Sequence, residues 1–210
     1  MKRRTVLWVL VALGPLLTGY LVPPGKVLAR WAREASVPWD SPPLEISVRW
    51  DGTPLRLILH SDGSLRPVSP ESPDPGIPPS AGLALLLFSG GDVVSWRSVL
   101  EGRKLDLVRS GYARCPGSED EVCHTLGARG EGEPDLPQVW FTRRPLRPWR
   151  VALGPEDRVV VGPPGPAGWP QWLEGPDGRR LEILARPEPT GLGAAPAPSP
   201  TLPDDWRKAF

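Results

Sequence analysis

Between residues 44 and 185 apolar and polar positions alternate with a period of two, the spacing that sends every second side chain of a strand to one face. Leu44, Ile46, Val48 and Trp50 interleave with Glu45, Ser47 and Arg49. Leu55, Leu57 and Leu59 carry the pattern onto a returning strand after an Asp51-Gly52 turn, and Asp62-Gly63 turns the chain again before Leu65. Residues 105–153 hold four further strands and three sharp turns. In that spine Val122, His124 and Leu126 share a face, as do Val139 and Phe141, and Trp149, Val151 and Leu153 share another. Gly/Pro-rich connections over 127–137 and 143–148 separate these strands, and 158–161, 169–173 and 180–185 add more, the last pair turned by Asp177-Gly178. The count reaches nine or ten strands, in an antiparallel meander.

Three segments break the alternation. Residues 67–80 contain six prolines and form a long loop or flap. The apolar run 81–88 reads either as a buried strand or as part of a lid, and 92–100 has the helical spacing of Val93, Trp96 and Leu100, with Asp92 as cap and Gly102 as stop. Val27, Leu28, Trp31 and Ala32 predict a short amphipathic helix over 25–35. A single sheet of this size must twist and curl to bury its apolar face. The expected fold is therefore mainly β (α+β): a curled antiparallel sheet forming an unclosed β-barrel with two or three helices as lid. Its inward alternates, Trp50, Leu57, Leu59, Val139, Phe141, Trp149 and Val151, line either an apolar cavity or an ordinary filled core, with Leu86, Phe88, Trp96 and Leu100 as lid or floor.

The ends of the chain add a compartment. Lys2, Arg3 and Arg4 precede an apolar run from Thr5 to Val22, which predicts a signal peptide or N-terminal anchor over 1–22, then a folded domain over 23–186 and a Pro-rich tail over 187–210. The run is either cleaved, with Val27-Leu28-Ala29 a passable site, or kept as a tether to the inner membrane. With no cysteine near its end, a lipid-modified N-terminus is not expected. In an exported chain Cys115 and Cys123, with seven residues between them, are expected to form a disulfide. A metal site on Cys115, Cys123 and His124 would lack a fourth ligand.

Charge and chemistry exclude more than they suggest. With 25 basic and 24 acidic residues there is no global pull toward nucleic acid. His60 and His124 stand in strands without a nucleophile in a recognised setting, and no paired acids or metal spacing emerges, so the chain is not expected to be an enzyme or to carry a cofactor. Arg143, Arg144, Arg147 and Arg150 cluster around one hairpin tip; Arg143, Arg144 and Arg147 are candidates for docking an acidic partner or anionic lipid, against the plain reading of a solvated loop.

The order of export signal, early helix, meander and short helix, followed by Leu126-Gly127-Ala128, Pro137–Phe141, Pro145–Val151 and the Asp177-Gly178 hairpin, resembles the periplasmic lipoprotein-carrier superfamily, the LolA/LolB-like proteins, over about residues 25–186. That resemblance implies a half-barrel with a helical lid that carries lipid or lipoprotein acyl chains across the periplasm as a monomer, exchanging them with sorting proteins of the inner or outer membrane. The cysteine pair, the flap at 67–80 and the missing lipobox depart from the family and bear on the cargo. The competing class is a membrane-anchored periplasmic interaction module without lipid cargo.

Overall fold

The predicted antiparallel ladder runs through the whole computed structural model, which describes residues 41–89, 93–129, 132–165 and 168–190. The export segment, the helix over 25–35, the Asp92 cap and the tail from 191 onward lie outside those residues.

Strands β1 (Leu44–Trp50), β2 (Thr53–Leu59) and β3 (Leu65–Pro67) form the first meander. Asp51 and Gly52 both take positive φ, 49° and 79°, the pairing a two-residue turn needs if it is to match the twist of its strands. Helices α1 (Pro79–Leu87) and α2 (Val93–Gly102) follow. The second meander comprises β4 (Ser110–Arg114), β5 (Val122–Leu126), β6 (Gln138–Arg143), β7 (Leu146–Ala152), β8 (Arg158–Val161), β9 (Trp172–Glu174) and β10 (Arg180–Ile183). It returns to the first, because β10 pairs with β1, and the short β11 (Glu188–Pro189) continues along the same side of β1. The result is an eleven-stranded antiparallel sheet ordered β3-β2-β1-β10-β9-β8-β7-β6-β5-β4, with β3 and β4 as unpaired edges: an unclosed β-barrel.

Alternation sorts the two faces of the sheet. Leu44, Ile46, Val48 and Trp50 turn inward, and their outward neighbours join charged ladders, with Glu45 paired to Arg56, Arg49 to Glu182 at 2.7 Å, and Glu174 to Arg180. Such exposed pairs set strand register more than stability. The inner face supplies one apolar core with both helices packed into it.

Two expectations change. The run 81–88 is a helix, not a buried strand, and Ser80 through Leu87 are all buried. Periodicity cannot separate the two in a run apolar on every side, but Ala-Gly-Leu-Ala-Leu-Leu-Leu contains no β-branched residue, and Pro79 stands in the first turn where its missing N–H costs nothing. The connection over 143–148 is also shorter than expected, since β6 runs to Arg143 and β7 starts at Leu146.

Candidate functional site

The concave side of the half-barrel is built from the alternation itself. Trp50, Leu57, Leu59, Val139, Phe141 and Val151 point into it from β1, β2, β6 and β7, and Leu86 from α1, Phe88 just after it, and Trp96 and Leu100 from α2 meet them in one cluster. None of these ten is more than 7% exposed. Helix α1 lies along the bowl, chiefly against β7, β8 and β2. Its approach to the β2–β3 turn is close: a Cβ on Gly82 would sit 2.1 Å from the Gly63 carbonyl oxygen. Ser80 N–H donates to Asp157 Oδ1 at 3.0 Å, and no side chain caps the N-terminus of the helix.

Trp149 belongs elsewhere. It packs with Cys115, Cys123 and Trp140 on the convex side and donates its indole N–H to the Pro116 carbonyl at 3.1 Å. The pairing of β6 with β7 slips between Trp140 and Phe141, so Trp149 is an extra residue in β7 and the alternation that grouped it with Val151 is broken. Pro148 was the available signal, because a proline inside a central strand requires a bulge. Cys115 and Cys123 are joined in a disulfide, which removes both thiols from any metal set.

The arginines of the β6–β7 hairpin divide between the faces. Arg147 stacks on Trp149 at 5.9 Å and Arg150 on Trp140 at 5.9 Å, both with the convex cluster. Arg144 is exposed at the turn. Arg143 stacks on Tyr112 at 5.3 Å, and Tyr112 in turn lies 4.3 Å from the His124 ring. The sequence put His124 on the face of Leu126; Tyr112 was missed, because its link to Arg143 crosses two strand pairings.

A second concavity, an open depression of about 410 Å³, lies between the tips of the β1–β2 and β9–β10 hairpins. Its lining mixes Arg49, Arg179 and Arg180 with Asp51, Asp177 and Glu182, so it presents no net charge to a ligand. The Arg179 side chain, and then its backbone N–H, hold the Asp177 carboxylate below its ordinary range.

Among the described residues no helix is long and apolar enough to cross a membrane, and no three His, Cys, Asp or Glu side chains converge as a metal site. No family model, curated protein or solved structure matches the chain. What converges in the bowl is hydrocarbon.

Proposed function

We propose that this is an exported binding protein of the lipid-carrier type, which holds lipid or lipoprotein acyl chains in the half-barrel in the place of α1. One observation carries the reading: α1 is apolar on every side, buried along its length, and seated on an open apolar sheet chiefly by side-chain packing. A plug of that kind is interchangeable with acyl chains, because hydrocarbon replaces hydrocarbon. Each buried methylene contributes about 0.8 kcal/mol, so ten supply about 8 kcal/mol, the scale of micromolar binding before the exchange of α1 is subtracted. The disulfide and the basic-then-apolar start of the chain support export into an oxidising compartment such as the periplasm.

Native mass spectrometry of the protein purified without detergent and incubated with phospholipid vesicles tests this. The expected result is an added mass of lipid size. An apo mass alone would overturn the carrier reading.

A second reading draws on the same interior. Side chains this completely buried also describe a filled core, and with Arg144 exposed at its hairpin tip the body would serve as a periplasmic interaction module held by its N-terminal segment. An apo mass together with membrane retention that is lost on deleting residues 1–22 would favour it.

A further inference from the structure

The two edges of the sheet differ. On β3 the bonds of His60 N–H to the Ser64 carbonyl and of Val68 N–H to the Arg56 carbonyl turn even-numbered residues toward β2. Leu65 and Pro67 therefore face outward, and Pro67 has no N–H to offer a further strand. On β4 the bonds of Cys115 N–H to the Glu121 carbonyl at 2.8 Å and of Gly127 N–H to the Arg109 carbonyl at 2.9 Å turn odd-numbered residues toward β5. The backbone N–H and C=O of Tyr112 and Arg114 face outward, and among the described residues no strand takes them up. Opposite charges flank this edge. At its C-terminal end the loop 116–121 carries Glu119, Asp120 and Glu121, none with an ion-pair partner among the described residues. The disulfide closes that loop, the Trp149 indole bonds its Pro116 carbonyl, and Ser118 Oγ accepts the Glu121 N–H at 3.1 Å. At the N-terminal end Arg129 crosses so close that a Cβ on Gly111 would meet its carbonyl oxygen at 2.7 Å. Its exposed side chain likewise has no ion pair among the described residues, whereas Arg109 is already engaged by Asp106 and Glu133. Val108, at the same end, is 87% exposed.

We propose that β4 pairs antiparallel with the β4 of a second copy of this chain, about a two-fold axis at Ala113. That register sets Tyr112 of each chain opposite Arg114 of the other, and each such pair exchanges both of its backbone hydrogen bonds. The two Ala113 residues then face each other as the close, non-hydrogen-bonded pair that small side chains allow. Moving the axis to Arg114 would set one guanidinium against its copy, which like charge disfavours. Only main-chain groups are recruited, so the Tyr112 ring keeps its contacts with Arg143 and His124. Within one chain the acidic loop and Arg129 lie at opposite ends of the strand. Antiparallel pairing brings each loop to the other copy's Arg129 and over its Val108, a complementarity that a strand from an unrelated protein would not supply. The dimer does not depend on the cargo. It joins two half-barrels into one continuous sheet, in place of the monomer that the family resemblance implies.

Sedimentation velocity of the full-length protein over a dilution series, with amide exchange in deuterated buffer read residue by residue by NMR, tests this. A species of twice the 22.9 kDa chain mass is expected at high concentration, and added salt should weaken it. The Tyr112 and Arg114 amides should be protected in the dimer and exchange about tenfold faster or more once dilution yields the monomer. Arg114→Pro removes an N–H that bonds nothing within the sheet, so this variant should fold and stay monomeric. Arg114→Gln keeps the N–H and should still dimerise. Equal melting temperatures of the dilute proteins exclude misfolding as the cause, and if the proline variant does not fold, the two amides of the unaltered chain decide alone. A single-chain mass at every concentration overturns the proposal. So does a dimer that survives Arg114→Pro or leaves the two amides unprotected, since it is held elsewhere, residues 5–22 included. Protection of these amides that is independent of concentration would mean that the chain covers its own edge, and also overturns it.

Discussion

Two glycines and one carboxylate show how far single residues are committed to this fold. In an exposed helix Gly→Ala is stabilising by about 1 kcal/mol. At Gly82 the sign reverses, because the new Cβ would meet the Gly63 backbone oxygen at 2.1 Å and neither helix nor turn can yield without moving backbone. Gly82→Ala is expected to lower unfolding stability by about 2–4 kcal/mol in urea titrations. Gly102→Ala, where nothing lies within 4 Å, should be neutral or stabilising by up to about 1 kcal/mol. The pH response of Asp177 has a definite sign as well. Its carboxylate is held below the ordinary value of 3.8, so its bond to Arg179 is fully present above that value and is lost as pH falls through the lower folded one. Following the Arg179 Nε–H resonance through an acid titration should show that loss, and Asp177→Asn should flatten the curve.

At the scale of elements, the disulfide loop and α1 make opposite predictions. Cys115 and Cys123 close a loop with a sequence separation of eight, which contributes about 2.5 kcal/mol in the chain-entropy model. Replacing both by serine should lower the unfolding free energy read from urea titrations by that amount and leave lipid retention intact, because the bridge packs on Trp140 and Trp149 at the convex side. For α1 the expectation concerns exchange. On lipid loading the amides of residues 82–87 should exchange faster in deuterated buffer while those of β6 and β7 keep their protection; unchanged protection of α1 in a protein that has bound lipid would rule out the plug. Legibility also differed between these elements. The hairpins at Asp51-Gly52, Asp62-Gly63 and Asp177-Gly178 were readable because their glycines need positive φ, at 79°, 75° and 78°. Helix α1 was not read from its pattern, since a segment buried on all sides has no polar face to reveal its period.

For the molecule as a whole, alternation was enough to place six of the seven candidate cavity residues in one core, because each strand exposes its period without help from its neighbours. Trp149 escaped since a bulge is a property of two strands together, and the contacts of Tyr112 with His124 and Arg143 escaped since register across β4, β5 and β6 is set by connections whose lengths the sequence left open. The pairing of β1 with β10 was equally invisible, and it governs how the chain comes together in time. β1 is an inner strand whose second neighbour lies far along the chain; the Arg49–Glu182 pair spans 133 positions, and at roughly 5–20 residues per second that length takes roughly 7–27 s to appear. Throughout that interval the first three strands stand as a small sheet whose most deeply buried member in the finished fold, β1, has one bare edge. Newly made chains are therefore most vulnerable to pairing with one another through β1, and a helper that shields residues 44–50 until residue 183 has emerged would raise the yield of folded protein more than any stabilisation of the finished sheet.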